Sequence, residues 1–305
     1  MILCVAPSPA IDVTYEVTGF DVGRTNRVRR VTHRPGGKAV NVARVLSTVG
    51  EQVLVLAPVA GHSGSRFRAG LDALGVPAEL VDAGEPTRHT LTVVDQTTGE
   101  ATLLSEPARV TDWAALADRF AGLLSATDVV VISGSLPDGA APDAVAELVR
   151  AARRADRPVV LDTSGRALAE AVAAAPTVVK PNAEELVELT GRREPLAAVA
   201  ALIDTVPITV VASLGAAGLI AAEPGRGWRA RPAKPLRGNP TGAGDALVAG
   251  LARGLAHGLR LPDMLADCVA LAAAAVLEPY AGDVDPDEVR RQRAGVSVEP
   301  LEAVR

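Results

Sequence analysis

Aromatic residues are scarce in this sequence: its 305 residues include two Trp, two Tyr and three Phe. Proteins that bind single-stranded nucleic acid stack bases on aromatic side chains, and this chain has too few for such a platform. Its net charge of −5 also gives no electrostatic footprint for a phosphate backbone. The composition therefore excludes nucleic acid as a partner, and any pocket for a purine base would have mostly aliphatic walls.

Cysteines and long apolar runs are also few. Cys4 and Cys268 lie far apart in apolar stretches, which is typical of buried free thiols in a reducing compartment. Residues 2–6 are too short for a signal-peptide core, and Asp267 interrupts the alanine-rich run 264–277. The four histidines show no metal-binding spacing. We expect a soluble, cytoplasmic protein with no membrane partner.

Two common nucleotide-binding signatures are missing as well. The sequence has no Gly-x-x-x-x-Gly-Lys-Ser/Thr motif, which argues against a P-loop enzyme. A partial dinucleotide fingerprint begins at Gly242, but Leu247 stands where its third glycine would be.

The stretch 239–250 (NPTGAGDALVAG) instead predicts a tight turn that enters a buried helix. Pro240 cannot continue a strand, and Thr241 is a good helix N-cap. The glycines that follow let the backbone turn sharply before the apolar run 246–255.

This helix start is a candidate anion site. Free N–H groups of Gly242, Ala243 and Gly244 would converge on one point, and the helix dipole would favour a negative charge there. Asp245 would stand beside that anion, where a carboxylate suits a general base that takes a proton from an attacking hydroxyl. The alternative is an ordinary Gly-Asp turn, because short motifs have many false positives.

Apolar runs alternate with helical stretches through most of the chain. The runs are 2–6, 53–57, 129–132, 159–161, 178–179 and 208–211, and the helical stretches are 64–74, 112–124, 141–155, 166–174 and 195–205. Strands that are apolar on both faces and separated by helices predict a parallel sheet covered on both sides. The length fits a single α/β domain over residues 1–305, with a surface helix and a peripheral tail from about residue 285.

Four other segments alternate β-branched and polar residues, as half-buried strands do: 11–17, 27–34, 88–95 and 100–105. They interrupt the main βα alternation at about 11–35 and 88–106, so we assign them to a small separate β-sheet over the site. This small sheet is basic, with Arg24, Arg27, Arg29, Arg30, Arg34 and Arg88. The cluster is either solvated surface or the cover of an anionic substrate.

Ligands of parallel α/β sheets bind beyond the carboxyl ends of the strands, so the residues that follow each run are candidates. Asp12 is either a ligand contact or a turn residue. Ser135 could contact a sugar or a phosphate, although its turn needs no ligand. Ser213, Gly215 and Gly218 either bring the backbone close to a nucleotide or make a hairpin.

Two helix starts carry further candidates. Gly36 and Gly37 loosen the backbone before a helix whose first turn holds Lys38 and Asn41, which either hold sugar hydroxyls or face solvent.

Asn182 and Glu185 are spaced i and i+3 at the second helix start, where they either hold a hydrated Mg²⁺ or form an N-cap with an acidic first turn.

Taken together, these motifs resemble the ribokinase-like (PfkB-type) carbohydrate kinase family. The matching segments follow the family order and cover nearly the whole chain: 7–12 (PSPAID), 36–46 (GGKAVNVARVL), Arg88, 133–139 (SGSLPDG), 161–165 (LDTSG), 180–186 (KPNAEEL), 213–218 (SLGAAG) and 239–250. The resemblance implies a doubly wound, mainly parallel α/β fold with a small β-sheet lid, often shared between two subunits as a homodimer. It also implies transfer of the ATP γ-phosphoryl group to a sugar hydroxyl with Mg²⁺.

The resemblance assigns roles by position. Asp245 is similar to the family's general base, and Gly242, Ala243 and Gly244 to its anion hole. Residues that resemble sugar or sugar-phosphate contacts are Asp12, Gly36, Gly37, Lys38, Asn41, Arg88 and Ser135. Asn182 and Glu185 match the motif near Mg²⁺, and residues that resemble nucleotide contacts are Lys180, Asn182, Ser213, Gly215 and Gly218.

Within the family, the motifs are most similar to hexose-phosphate kinases, chiefly those acting on fructose 1-phosphate and tagatose 6-phosphate. The chain departs from the family at Ser8, where Asn is usual, at Ala39, where Gly is usual, and at 87–90 (TRHT), where Thr-Arg-x-Asn is usual. The expected reaction is ATP-dependent phosphorylation of fructose 1-phosphate at C6. Tagatose 6-phosphate, fructose 6-phosphate, another sugar or a nucleoside are alternative acceptors. A non-catalytic sugar-phosphate sensor is the alternative to a kinase.

Overall fold

The computed structural model describes residues 1–234 and 236–301. The strands are β1 (Ile2–Val5), β2 (Ala10–Val17), β3 (Val28–Gly36), β4 (Val53–Val59), β5 (Ala78–Asp82), β6 (Arg88–Asp95), β7 (Ala101–Ser105), β8 (Val129–Ser133), β9 (Val159–Asp162), β10 (Val178–Val179), β11 (Thr209–Ser213), β12 (Leu219–Glu223), β13 (Arg226–Arg231) and β14 (Ser297–Leu301). The helices are α1 (Lys38–Thr48), α2 (Gly61–Ala73), α3 (Trp113–Leu123), α4 (Ala144–Arg154), α5 (Gly165–Ala173), α6 (Ala183–Thr190), α7 (Pro195–Thr205), α8 (Ala243–Ala256), α9 (Leu261–Val276) and α10 (Pro286–Arg293).

The main sheet has ten strands among the described residues, in the order β14-β13-β12-β11-β10-β9-β8-β1-β4-β5. The seven strands from β11 to β5 run parallel, and β12, β13 and β14 add to the β11 edge in antiparallel pairs. The mainly parallel sheet predicted from the sequence is confirmed.

Side chains of the central strands alternate between two apolar layers. In β1, Ile2 and Cys4 face the layer formed with α1, α8 and α9, whereas Leu3 and Val5 face the layer formed with α3, α4, α5 and α7. A strand that is buried on both faces has no polar side, which is why these runs are continuously apolar in the sequence.

The small sheet is also confirmed, with the order β3-β2-β6-β7. Strands β2 and β6 run parallel, and β3 and β7 pair antiparallel at the two edges. Arg88 begins β6 opposite Ala10 of β2, close to the end of β1. The small sheet therefore starts at the carboxyl edge of the main sheet.

Three details of the structure either differ from the sequence-based expectations or decide between two alternatives that the sequence left open. The predicted peripheral tail is wrong for residues 297–301, because they form β14 and extend the main sheet through β13. Strand β5 has no counterpart among the predicted runs. The hairpin alternative after Ser213 is observed as β12 and β13. No helix within the described residues is long and apolar enough to cross a bilayer.

The contact between α8 and α9 yields a stability prediction. A Cβ on Gly250 would lie 2.8 Å from the Cys268 Cα, a backbone atom that cannot move aside alone. We expect Gly250→Ala to lower the free energy of unfolding by about 1–2 kcal/mol, because overpacking outweighs the gain in helix propensity. Chemical denaturation measures the change.

Gly122 provides the matched control. It is an exposed residue of α3. Among the described residues, no neighbouring side chain or backbone segment comes within 4 Å of the position that a Cβ on Gly122 would take. Gly122→Ala should raise the free energy of unfolding by about 0.5–1 kcal/mol, because only the helix propensity changes. Equal effects of the two substitutions would contradict the packing argument.

Candidate active site

The loop before α8 forms the tight turn that the sequence predicts, but its cap differs. Gly242, not Thr241, is the N-cap of α8, with a φ of 87° and no side-chain capping bond. The left-handed backbone favours glycine, and a Cβ on Gly242 would lie 2.9 Å from Ala281. The Thr241 amide instead donates to Asn239 Oδ1 at 3.0 Å. The chain therefore turns into α8 under close cover by the residues after α9.

The three amides of the expected anion hole are not equally free. The Ala243 amide donates to the Pro240 carbonyl at 3.2 Å, which differs from the expectation. Within the described part of the chain, the amides of Gly242 and Gly244 have no protein acceptor. Two amides are thus available to an anion, and the third becomes available only when the turn at Pro240 opens.

Asp245 lies in the first turn of α8 with a 7% exposed side chain. Its Oδ2 accepts a hydrogen bond of 2.8 Å from Asn41 Nδ2 of α1. Burial, and then the nearby Asp162 carboxylate, raise the pKa of Asp245 to about 7, against the opposing effects of Asn41, Lys38 and Lys180. Asp245 therefore exchanges a proton near neutral pH, as a general base should.

Asp162 holds two ammonium groups beside Asp245. Its Oδ1 lies 3.3 Å from Lys38 Nζ and 3.2 Å from Lys180 Nζ, and its Oδ2 accepts a hydrogen bond of 3.0 Å from Ser133 Oγ. Although burial alone would raise it, the two lysines hold the pKa of Asp162 below its usual value. Asp162 is thus ionised, and it fixes Lys38 and Lys180 in the site.

Sequence reasoning did not single out Asp162, although it noted the segment 161–165. The available signal was a carboxylate directly at the end of a continuous apolar strand, where α/β sites form. Lys180 occupies the equivalent place after β10, and its Nζ lies 3.7 Å from where a Gly244 Cβ would be. Lys180 therefore stands beside the loop that leads into α8 (residues 239–244, called the glycine loop below) as well as beside Asp162.

Three of the five predicted nucleotide residues, Ser213, Gly215 and Gly218, line a cavity of about 550 Å³ next to this loop, whereas Lys180 and Asn182 are not among its lining residues. Ser213, Gly215, Gly218, Ala243 and Gly244 all face it, and none of the described residues that line it is aromatic. The other lining residues are mainly aliphatic, with one cation: Ala216, Leu219, Pro232, Leu236, Arg237, Gly238, Pro240, Leu247, Val269, Ala272, Ala273 and Val276. The walls match the aliphatic pocket that the low aromatic content implies.

Asn182 and Glu185 form a capping box at the start of α6. Asn182 Oδ1 accepts from the Glu185 amide at 2.9 Å, and Glu185 Oε2 accepts from the Asn182 amide at 2.8 Å. This is the structural alternative from the sequence, and it occupies one oxygen of each side chain. No cluster of three or more potential acidic, His or Cys ligands occurs within the described residues.

Asp12 lies in β2 of the small sheet, between Arg34 of β3 and Thr90 of β6. Thr90 Oγ1 donates to Asp12 Oδ1, and Gly36 leaves the space that the Asp12 carboxyl group fills. Burial raises the pKa of Asp12, while Thr90, Arg88 and two other arginines oppose that rise. Asp12 is thus a half-buried carboxyl group among cations.

Arg88 ties the small sheet to the end of β1. Its guanidinium donates to Ser105 Oγ at 2.8 Å, to the Glu106 carbonyl at 3.0 Å and to the Ser8 carbonyl at 3.3 Å. Ser8 Oγ is also 3.0 Å from Ser135 Oγ, so both predicted contacts lie close to Ser8. Gly37, with a φ of 99°, is the N-cap of α1 and packs on the adjoining Pro9 backbone.

A larger cavity, of about 680 Å³, lies between α1, α9 and α10 and contains none of the predicted site residues. Its charged lining residues are already paired: Arg253 and Arg293 with Asp267, and Arg290 with Asp287. The buried carboxylates and free amides instead converge at the glycine loop, which identifies that end of the sheet as the candidate active site.

Comparison with known proteins agrees with this geometry. A family model described as pfkB family carbohydrate kinase matches residues 2–288. The chain belongs to the pfkB family of carbohydrate kinases. Membership implies that ATP is the phosphoryl donor of this kinase.

Solved structures place the kinase near the phosphofructokinases of its family. Phosphofructokinase-2 from Escherichia coli in complex with potassium has a TM-score of 0.91 at 26% identity, over 96% of this chain and 98% of that chain. The same enzyme in complex with fructose-6-phosphate has a TM-score of 0.88 at 26% identity, over the same shares of both chains. A possible 1-phosphofructokinase from Thermotoga maritima has a TM-score of 0.84 at 26% identity, over 99% of this chain and 100% of that chain.

The raised pKa of Asp245 makes the stability of this kinase depend on pH. The folded protein keeps the Asp245 proton up to about pH 7, whereas an unfolded chain loses it near pH 4. The stabilising effect is therefore full below about pH 4 and is lost as the pH rises to about 7. Because Asn does not titrate, Asp245→Asn should gain stability relative to wild type between pH 5 and pH 8.

Thermal or urea denaturation at both pH values measures this difference. Asp118→Asn, at an exposed position of α3, is the matched control and should show a constant difference. A pH-independent difference for Asp245→Asn would contradict the buried-proton interpretation.

Proposed function

We propose that this kinase transfers the γ-phosphoryl group of ATP to the C6 hydroxyl of fructose 1-phosphate and forms fructose 1,6-bisphosphate. The observation that carries this proposal is Asp245: a buried carboxyl group with a pKa of about 7 at the front of a helix, beside two free amides and next to a cavity of about 550 Å³ that Gly244 lines. A non-catalytic binder has no use for such a base next to a phosphate site.

Asp245 acts as the general base. Its ionised form takes the proton of the acceptor hydroxyl as the oxygen attacks the γ-phosphorus in line, and the bond to the leaving oxygen of ADP breaks. The hydrogen bond from Asn41 fixes the orientation of the carboxylate. Because the group is buried, little water competes with the sugar hydroxyl for the phosphoryl group.

Charge that develops on the transferred group faces the positive end of α8. The Gly242 and Gly244 amides point toward it, and Lys180 and Lys38, fixed by Asp162, stand on the same side. Donors that are already oriented cost no rearrangement during the reaction.

Magnesium fits the donors that this chain offers. Mg²⁺ usually keeps several waters and takes one or two carboxylates plus substrate phosphates, so it needs no all-protein cage. Glu185, with Asn182, would hold it through water, where it would supply positive charge to offset the phosphates. Since the capping box already uses Glu185 Oε2, the interaction would fall to Oε1.

The basic side of the small sheet suits an acceptor that already carries a phosphate. Arg88 would bind that phosphate, and Asp12, Lys38, Asn41 and Ser135, with the backbone of Gly36 and Gly37, would contact the sugar. Fructose 6-phosphate is a second candidate, because a similar structure is a complex with that sugar. Tagatose 6-phosphate, another sugar or a nucleoside are further alternatives.

We also propose that two copies of the kinase pair through their small sheets. Both edge strands of the small sheet expose large apolar side chains: Val28 and Val31 in β3, and Leu103 and Leu104 in β7. Phosphofructokinase-2 from Escherichia coli, a similar protein, has a tetrameric inhibited form. The buried free thiols of Cys4 and Cys268 are compatible with a cytoplasmic location.

ADP release over a panel of sugar phosphates tests the function. Fructose 1-phosphate should give the highest kcat/KM, and Asp245→Asn should lower kcat by about 10²–10⁴-fold while ATP still binds. No ADP from any acceptor, despite measurable binding, would favour a sugar-phosphate sensor. Near-normal turnover by Asp245→Asn would show that another group is the base.

Arg88→Ala tests the phosphate contact. It should raise KM for fructose 1-phosphate by about 10–100-fold, because hydrogen bonds to charged groups contribute about 1.5–3 kcal/mol. Unphosphorylated sugars should be affected much less. Steady-state kinetics with fructose 1-phosphate and with an unphosphorylated sugar measure the change in KM for each.

Two further variants control for loosening of the small sheet. Arg88→Lys keeps the charge and should recover part of the affinity. Arg30→Ala removes an exposed arginine of the same sheet, 3.8 Å from Glu16, and should leave KM unchanged. Equal losses for phosphorylated and unphosphorylated sugars in Arg88→Ala would overturn the assignment.

A further inference from the structure

Asp283, in the loop between α9 and α10, is bound by two arginines from separate parts of the fold. Arg34 of β3 donates from Nη1 to Oδ2 at 2.6 Å and from Nη2 to Oδ1 at 3.0 Å, which is a bidentate fork. Arg44 of α1 donates from Nη2 to the same Oδ1. The Arg34 guanidinium also lies 4.8 Å from the centre of the Tyr280 ring. The 280–283 segment is therefore fixed at both ends.

This arrangement is too buried to be a surface ion pair. The side chains of Arg44, Arg34 and Asp283 are 5%, 22% and 31% exposed. Arg44 also donates from Nη1 to the Ala281 carbonyl at 2.9 Å, so it holds the backbone as well as the carboxylate. Loss of the Asp283 charge would leave two neighbouring guanidinium groups without their hydrogen-bonded counter-charge, one of them almost fully buried, with Asp12 as the remaining nearby carboxyl group.

The segment held in this way covers the catalytic residues. Ala281 lies against Gly242, the N-cap of α8, at 2.9 Å from where a Cβ would be. Gly282, with a φ of +80°, packs on Asn41, the residue that donates to Asp245, since a Cβ on Gly282 would lie 3.0 Å from the Asn41 Cα. A shift of the segment would therefore disturb both the free amides and the orientation of the base.

Through Arg34, Asp283 is also connected to the small sheet, where the acceptor would bind. Arg34 stands directly opposite Asp12 in the β2–β3 pairing, so a movement of the small sheet at Asp12 carries Arg34 with it. Asp283 joins Arg34 to the residues that cover the glycine loop. The two proposed substrate sites are thus linked through one carboxylate, whose side-chain partners are Arg34 and Arg44.

We propose that Asp283 is a positioning residue that couples the small sheet to the glycine loop, so that a bound acceptor and a bound nucleotide stabilise each other's sites. The inference rests on the proposed function for the location of the two substrates. Asp283 itself takes no part in the chemistry.

Calorimetry with a non-hydrolysable ATP analogue tests the coupling. In wild type, saturating fructose 1-phosphate should tighten binding of the analogue by a factor in the usual allosteric range of about 5–150-fold. In Asp283→Asn this factor should fall toward one, while the affinity for the analogue alone changes little. Asp283→Glu, which keeps the charge, should recover part of the coupling.

Two variants distinguish a loss of coupling from a general loss of stability. Asp287→Asn makes the same chemical change at an exposed residue of α10 that pairs only with Arg290 within the described chain, and it should keep wild-type coupling. Arg34→Lys keeps the charge and leaves Arg44 paired with Asp283, but an ammonium cannot form the fork. It should lose most of the coupling with a small effect on stability.

Coupling that survives in Asp283→Asn, or that is absent from wild type, would overturn the proposal. If the kinase turns over a sugar phosphate but the variants keep full coupling, only this inference fails.

If no sugar phosphate binds, the proposed acceptor is wrong, and hydrogen exchange decides the inference instead. Amides of residues 241–244 should exchange faster in Asp283→Asn than in wild type and Asp287→Asn, and equal rates in all three would overturn it.

Discussion

The burial of two carboxylates beside two lysines is the constraint on which the candidate site depends. Asp162 is only 1% exposed, and its charge is tolerable because Lys38 and Lys180 both bind it. Asp245 shares the same cations at longer range, so its own charge is not fully compensated. One carboxylate stays ionised and organises the lysines, while the other can exchange a proton. The difference between them comes from their partners, because both are buried aspartates.

The chain order explains how these groups meet. Lys38 comes from the start of α1, Asp162 from the end of β9, Lys180 from the end of β10 and Asp245 from the start of α8. Parallel strands put all their carboxyl ends at one edge, and the helices that begin nearest that edge present their N-termini there. Glycines let the backbones approach closely at this edge, as at Gly242 against Ala281.

Sequence patterns predicted most of the fold, because strands buried on both faces and half-buried strands have different periodicities. They missed β14, since the two apolar residues of this segment that pack on the core, Val298 and Leu301, are three positions apart and so do not show the alternation of a half-buried strand. The local motif predicted that Asp245 lies in the first turn of a helix. The roles of Asp162 and Asp283 could be recognised only from the fold. Their partners lie far away in the sequence, as Arg34 does from Asp283, and no local spacing encodes such contacts. The bond between Ala243 and Pro240 was equally invisible, because it depends on the turn geometry.

The position of β1 also bears on how the molecule is made. Its two neighbours in the main sheet are β4 and β8, so residues 2–5 pair with Val53–Val59 on one side and with Val129–Ser133 on the other. During synthesis, this apolar strand leaves the ribosome long before the second partner exists. Both its backbone edges stay open in that interval, and parallel pairing over such sequence distances is slow. The nascent chain is therefore a natural client for chaperones until residues near 133 have emerged.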